Sequence, residues 1–471
     1  MTSRLTRRDF VNGVALSLAA GTTLAPFEIL ARTTRSGSGY YPPALTGIRG
    51  SHDDSFEVAH ALAREGKTFA RPASRTGPVY DLVVVGGGIS GLSAAKFFRD
   101  RNGGGRVLVL DNHDDFGGHA RRNEFKVDGK KLIGYGGSQT IDSPAKYSKV
   151  AKQLLKDIGI HTERFYEYYD REYFSSRNLG RGMYFDRKTY GVDRVTADPM
   201  DVFSGDALEP SQLQAAISAM PISDADQAEF LRLLTGGVDY LDGKSTKSKR
   251  RLLNNISDLD FLADYVGMPE SVQGIIQDSF LPMTSVGWEA ASALEAAEYW
   301  FPGTAELGVQ VDDDDGEPYI HHFPDGNAGI ARSLVRDLVP EAMPGSTMED
   351  LVTARADYSL LDQPDADVQI RLNSTAVNVA NSKDGKFVDV TYVSGGETVR
   401  VRARHAVLAC YNNIIPYLCD ELPESQVDAI RYATKIPFVI GNIAIRNWRA
   451  WAEAGFHRFY SPGDVYFKYL P

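Results

Sequence analysis

Cysteine is scarce in this chain: two occur among 471 residues, Cys410 and Cys419. A disulfide framework is therefore excluded, as are a Cys-x-x-Cys metal spacing and the Cys-x-x-Cys-His attachment of a c-type haem. The two thiols could pair in an oxidising compartment, but buried free thiols are the expectation. Long apolar runs are missing too. Beyond the N-terminal segment nothing reaches the roughly eighteen uninterrupted apolar residues of a membrane-spanning helix. Basic residues are in deficit, with 51 Lys and Arg against 62 Asp and Glu and a net charge of −11. That balance argues against nucleic acid as a partner and is compatible with cationic small molecules. Adjacent histidines occur once, at His321 and His322. Sequence neighbours do not share a helix or strand face, so no two-ligand metal site is expected there.

Glycine is plentiful, at 44 residues, and its placement organises the rest. Residues 82–85 are an apolar, mostly β-branched run, the pattern of a buried parallel strand. Gly86, Gly88 and Gly91 follow in G-x-G-x-x-G spacing. In such a turn the first glycine permits the tight exit from the strand. The second lets a pyrophosphate approach the backbone, and the third lets the next helix pack closely. Ile89 and Ser90 open that helix, whose first N–H groups would face the phosphates. Residues 107–110 read as a second strand. Asp111 stands twenty residues past Gly91, with Asn112 beside it, where a carboxylate can accept a ribose hydroxyl. Strand, turn, helix, strand and acid together predict a dinucleotide site.

The residues after Asp111 extend the pattern: five residues, then Gly117 and Gly118, then His119, Arg121 and Arg122. This resembles the extended fingerprint of the flavin amine oxidases, in which an acid, a Gly-Gly pair and an arginine wrap the FAD pyrophosphate and the flavin edge. The resemblance implies FAD rather than NAD. It puts His119 where the group usually has its arginine, and Arg121 or Arg122 in that role. A hairpin turning at Asp128 and Gly129 comes next. The segment 134–140 then resembles the group's glycine-rich stretch beside the flavin ring. That implies cofactor contacts from Gly136, Gly137, Ser138 and Gln139, with Tyr135 as a further candidate.

The chain divides as follows. In residues 1–35, Thr6, Arg7, Arg8 and Phe10 resemble a twin-arginine export signal, followed by a mild apolar stretch over 13–25. Export by the twin-arginine translocase to the periplasm is the expectation. Residues 36–79 read as an irregular arm with one helix near 55–65 and no chemistry assigned, and 80–142 as the first part of the FAD domain. Residues 143–310 read as a mainly helical substrate region, with helices at 143–158, 211–219, 224–234, 257–265, 271–277 and 288–299. Tyr166, Tyr168, Tyr169 and Tyr173 would suit a cation, although a core or seam explains them as well. The basic run 244–251 and the acidic run 312–315 read as solvated loops. Residues 311–410 return to the FAD domain through a helix at 330–338 and a β-meander. Residues 411–471 hold a strand at 437–445 and a tail. The expected fold class is α/β: an FAD-binding Rossmann-like domain of the glutathione-reductase type with an α+β substrate domain.

Stretches at 39–43, 47–62, 80–125, 134–139, 319–332 and 435–448 together resemble the bacterial exported spermidine dehydrogenase-like proteins of the flavin amine oxidase superfamily. The resemblance implies oxidation of an amine, such as the polyamine spermidine, by hydride transfer to flavin. Electrons would pass to an acceptor other than oxygen whose identity is open. It implies FAD and, as an additional cofactor in characterised members, haem b, for which the sequence names no ligand. It implies that Val377 contacts the adenine through its backbone. Lys435, ahead of the predicted 437–445 strand, would hold a water against flavin N5. The group's closing Gly-Asp motif is not found in its context, since Gly463 and Asp464 sit in a Ser-Pro loop. The chain is therefore expected to lack a C-terminal part. Two alternatives stand beside this reading: a related flavin oxidoreductase acting on another substrate, and a truncated FAD-binding remnant without turnover.

Overall fold

Strands that run as unbroken apolar stretches in the sequence lie side by side at the centre of the fold. In the computed structural model, residues 40–200, 208–279, 281–310, 316–464 and 468–469 are described. The export-signal segment and the acidic run 312–315 lie outside them. Strands β1 (Val79–Val85), β2 (Val107–Leu110), β3 (Arg122–Val127), β4 (Lys130–Tyr135), β5 (Gly180–Phe185), β6 (Arg194–Ala197), β7 (Val368–Arg371), β8 (Ser374–Asn381), β9 (Val388–Ser394), β10 (Glu397–Leu408), β11 (Phe456–Tyr460) and β12 (Lys468–Tyr469) form three sheets. The largest has the order β7-β2-β1-β10-β9-β8. Its first four strands are parallel neighbours, while β10-β9-β8 is an antiparallel meander.

Alternation along β1 and β2 explains how this sheet is covered. Leu82, Val84, Val107 and Val109 pack against helices α1 (Ile89–Asn102) and α2 (Ala328–Leu338), through Leu92, Ala95, Leu334 and Val335. Val83, Val85, Leu108 and Leu110 point the other way. They meet Val379, Val390, Tyr392 and Val401 of the meander. Parallel strands buried on both faces read as continuous apolar runs for this reason. The result is three layers, helices, parallel sheet and meander, and the α/β Rossmann-like expectation holds. The hairpin β3-β4 turns at Asp128 and Gly129, both at positive φ.

A second unit has its own core. β11 and β12 from the tail join β5 and β6 in the order β12-β11-β5-β6, with β11 parallel to β5. Met183, Phe185, Phe230, Leu253, Phe261, Trp288 and Tyr460 share one apolar cluster there. Several predicted helices are shorter than expected. Ser143, at φ +43, interrupts the 143–158 prediction, and the helix runs only over Lys149–Asp157 behind a Ser148 cap. The 257–265 helix is α only over Asp258–Phe261 and then widens into a π turn over Leu262–Val266, ending at Gly267. The 288–299 prediction reduces to Ala293–Glu298.

Three expectations are corrected outright. The basic run is not a loop: Thr246–Leu253 is a helix. Its Lys249 is buried, pairs with Asp239 and donates to the Leu307 carbonyl at 3.0 Å. The predicted strand 437–445 carries no ladder; the stretch is extended coil with exposed Phe438, Val439 and Ile443. The cysteines are unbridged but only half-buried, and burial pushes the Cys410 thiol up to about 11. No helix among the described residues is long and apolar enough to cross a membrane.

Asp258 is fully buried in the second unit, and among the described residues neither carboxylate oxygen has a hydrogen-bond partner. Burial alone pushes its pKa up to about 8. The folded protein therefore keeps this proton up to about pH 8, whereas the unfolded chain loses it near pH ~3.9. Between those values stability falls as pH rises. Asp258→Asn has no such titration. Its melting temperature, measured against wild type, should gain over that window and level off above it. A gap that does not change with pH would show that the carboxyl is solvated or paired.

Candidate dinucleotide-binding site

The carboxyl ends of β1, β2 and β10 converge at one glycine. The Gly86 N–H donates to the Leu110 carbonyl at 2.8 Å, and the Ala409 N–H donates to the Val85 carbonyl at 2.8 Å. Gly86 has φ +109, and a Cβ on it would lie 2.6 Å from the Ala409 carbonyl oxygen. A Cβ on Gly91 would collide with the Gly86 carbonyl. Both glycines are demanded by the protein itself. Gly88 is different: its φ is −73, and a Cβ there would meet backbone atoms of Gly117 and Gly118 only at 3.8–3.9 Å, ordinary contacts. No protein atom requires its bareness, so the space beside it is left for something else. Ile89, Ser90 and Gly91 open α1 with no side-chain cap on their N–H groups, an arrangement suited to a phosphate.

Asp111 lies buried beneath the turn. Its Oδ2 accepts from the Gly87 N–H at 2.7 Å, and its Oδ1 from the His113 N–H at 2.8 Å. Burial opposes ionisation, but the His113 contacts and the two N–H donors outweigh it and hold the pKa below the usual carboxylate value. Oδ1 also lies 3.2 Å from His113 Nδ1, so Oδ2 is the oxygen with a lone pair left for a ribose hydroxyl. Asn112 turns outward, and its amide donates to the Ser55 carbonyl.

The second glycine pair interlocks with the first turn. The Gly117 N–H donates to the Gly87 carbonyl at 2.8 Å, and Gly88 and Gly117 form an isolated parallel bridge. Gly117 and Gly118 both have positive φ. A Cβ on Gly118 would sit 3.2 Å from Gly88 Cα. His119 contacts the Tyr411 hydroxyl, and burial with the nearby Arg121 and His113 charges lowers its pKa. Arg121 stays at the turn, with Nε on the Gly118 carbonyl at 3.0 Å. Arg122 does not. It is buried, pairs with Glu124 at 2.6 Å, and donates to Asp325 at 3.2 Å. β3 begins at Arg122, whose side chain is engaged by Glu124 and Asp325, while Arg121, just before the strand, faces the glycines. Arg122 therefore serves this buried ion-pair cluster and not the cofactor role expected of it.

Gly136 and Gly137 run alongside this loop, donating to the Arg121 and His119 carbonyls at 2.8 and 2.9 Å. The Ser138 hydroxyl accepts from the Asn327 amide at 2.8 Å, with Gln139 half-buried beside it. Val377 is buried at the β8 bulge, where the register with β9 shifts between Ala376 and Asn378. Its backbone therefore lies off the ladder, as a backbone contact to a ligand would require. Lys435 is exposed in the unladdered coil. Asn442 ties that coil to the Tyr135 carbonyl at 2.9 Å.

One further wall joins two segments that the sequence presents separately. The Thr140 hydroxyl donates to the Tyr319 hydroxyl at 2.6 Å, and the Ile141 N–H to the His321 carbonyl at 2.8 Å. Tyr169 and Tyr319 stand edge-on to His322 at 5.0 and 5.9 Å, and Tyr166 to His321 at 5.6 Å. Burial lowers the pKa of both histidines and favours their neutral forms, with Glu317, 3.7 Å from His321, pulling the other way on that ring. Among the described residues no group of three or more His, Cys, Asp or Glu is placed to hold a metal ion. A shallow depression bordered by Phe97, Phe98, Arg101, Asn102 and His405 lies at the far end of α1 from the glycine turn.

A family profile described as an NAD(P)-binding Rossmann-like domain matches residues 84–158. The chain carries a Rossmann-like dinucleotide-binding domain. Oxidoreductase PigB from a Serratia species is 49% identical over 84 residues, which is 18% of this chain and 11% of that protein. Among solved structures, putrescine oxidase bound to putrescine aligns with a TM-score of 0.41 and 17% identity, over 83% of this chain and 72% of that one. An oxidoreductase from Methanosarcina mazei aligns with a TM-score of 0.34 and 12% identity, over 74% and 64% of the two chains.

The glycines make separable predictions. Gly88→Ala should fold with a melting temperature close to that of the ligand-free wild type and fail to retain a dinucleotide. Gly91→Ala should fail to fold stably, because its Cβ meets backbone. Dinucleotide content of the denatured proteins and their thermal melts check both. A Gly88→Ala protein that keeps its nucleotide would show that the open space is not the pyrophosphate site.

Proposed function

We propose that this chain is an FAD-dependent oxidoreductase that oxidises an amine, with a polyamine such as spermidine as the substrate class. The observation that carries the flavin reading is the second glycine pair, Gly117 and Gly118, locked against Gly88 and followed by the Gly136–Gln139 segment. A pyrophosphate would lie between the α1 N-terminus and this second loop, with Asp111 on the ribose and Val377 offering its backbone to the adenine. Bound FAD would supply the hydride-accepting chemistry. The chain's own residues have other tasks. Gly136, Gly137 and Ser138 run along one side of the cradle, and Thr140, next in the chain after Gln139, holds the hydroxyl of Tyr319 in the wall with Tyr169 and His322. Aromatic faces attract a cation while presenting it with no competing positive charge, and burial that favours the neutral form of His322 works in the same direction. Lys435, exposed in the coil tied to Tyr135, would bring an ammonium to the flavin that stabilises the charge developing on reduction.

A second reading is an NAD(P)-dependent oxidoreductase, favoured by the description of the matched profile. Chromatography of nucleotide released from denatured protein separates the two: FAD is expected, and NAD or NADP without flavin would overturn the proposal. Amine-dependent dye reduction tests the substrate class. Tyr169→Ala and Tyr319→Ala should raise KM about three- to tenfold with FAD content unchanged, the range of a contact of ~0.5–1.5 kcal/mol. Lys435→Met should keep FAD and slow flavin reduction or reoxidation about tenfold, or ~1.4 kcal/mol; unchanged kinetics would remove Lys435 from the site.

Periplasmic delivery by the twin-arginine translocase belongs to the same proposal, resting on Arg7 and Arg8. The double Lys variant should remain in the cytoplasm, as judged by fractionation. Haem b gains nothing from the geometry or the relatives, and no axial-ligand role is carried to His321 or His322.

A further inference from the structure

The arm to which the sequence assigned no chemistry makes a continuous row of polar contacts along the outer rim of the dinucleotide site. Of the residues that follow β2, Asp111 belongs to the glycine turn, but the next three belong to the arm. Asn112 donates to the Ser55 carbonyl. A ring nitrogen of His113 lies 3.3 Å from the Gly50 carbonyl. Asp114 receives Tyr40 and Arg49 on one oxygen, and His52 lies 3.0 Å from the other. At the opposite end of the rim, Arg121 holds the Gly118 carbonyl with Nε and the Arg49 carbonyl with Nη1, at 3.0 and 2.6 Å. Residues 49–55 therefore reach from the neighbours of the ribose acid to the arginine beside the second glycine pair.

The arm's two ends are anchored differently from its middle. Tyr41, Pro42 and Pro43 are buried, with the Tyr41 hydroxyl on Glu124 at 2.8 Å. Helix Glu57–Ala63 packs on β8, and Leu62 joins the meander-side core. Between them, residues 45–56 form no helix or strand, Gly47 takes φ +95, and Ile48 is 78% exposed. A segment tied down mainly by polar contacts between two apolar anchors can open locally without unfolding the domain.

We infer that residues 45–56 are a strap over the adenosine half of the dinucleotide, held shut by Arg49 and His52 on Asp114, and that the nucleotide enters and leaves when this strap lifts. The inference rests on the dinucleotide reading of the site and not on the choice between FAD and NAD. A bound nucleotide fills the space under the strap and holds it down, and the strap in turn slows escape.

Two experiments test this on the full chain. In the first, trypsin is added to wild type with and without bound dinucleotide, and cleavage of the Arg49–Gly50 bond is followed by mass spectrometry. Cleavage should slow at least about fivefold when nucleotide is bound, as expected for proteolysis through a local opening. In the second, R49A/H52A is compared with wild type for the rate at which nucleotide appears in the filtrate after dilution. The rate should rise about tenfold or more, corresponding to ~1.4 kcal/mol. Cleavage at Arg49 that ignores the nucleotide, or an unchanged release rate, would overturn the strap. The wild-type digestion needs no variant, so a double variant that fails to fold leaves the inference testable. Recovery of NAD or NADP in place of FAD would sink the flavin reading while leaving both measurements to be made on the nucleotide found. A protein that neither contains nor takes up FAD, NAD or NADP would sink both.

Discussion

Backbone meeting backbone with no side chain between is the constraint on which the rest of the molecule depends. At the end of β1, Gly86 lies under the Ala409 carbonyl, Gly91 lies under Gly86, and Gly88 faces Gly117 and Gly118. These approaches draw together β1, β2, α1, the loop after β2 and the end of β10. They join segments hundreds of residues apart, so the site exists only once the sheet has closed. The separation of roles is physical. A glycine whose Cβ would strike the protein is serving the fold, and one whose Cβ would strike nothing is serving what the fold receives.

The local part of this was legible in the sequence because it is local. The β1–turn–α1–β2 unit, the hairpin turning at Asp128 and Gly129, and the meander are each specified by residues close in the chain. The glycine spacing identified the turn before any packing was known. The motif left Arg121 and Arg122 as equal candidates because adjacent arginines look alike in sequence, whereas β3 begins at Arg122 and carries that side chain to Glu124 and Asp325. The 437–445 stretch has the composition of a strand, but a strand also needs a partner edge, and composition does not carry that information. The wall of Tyr169, Tyr319 and His322 joins residues about one hundred and fifty positions apart. Each half was noticed on its own, and nothing in either half pointed to the other.

The second unit shows a related limit. Its core takes strands from 180–197 and from the tail, with the helices between them, so the chain leaves the unit and returns after building most of the Rossmann-like layers. Tyr460, from the tail, is buried against that core and donates to the Ile275 carbonyl at 2.7 Å. Burial without a partner, as at Asp258, is tolerated there at the cost of a neutral carboxyl, whereas the buried Lys249 is met by Asp239 and a carbonyl.

β10 serves two neighbours at once. Its first half runs antiparallel to β9 and its second half parallel to β1, with Arg402 and Ala403 paired on both sides. One rigid rod thus belongs to the meander and to the nucleotide turn. A slip of the meander by one residue would drag Ala409 off Gly86 and open the phosphate turn from behind. The meander, which sits across the sheet from α1, therefore acts as a brace for the turn, and the amide protons along β10 should behave in hydrogen exchange as a single cooperative block rather than as two.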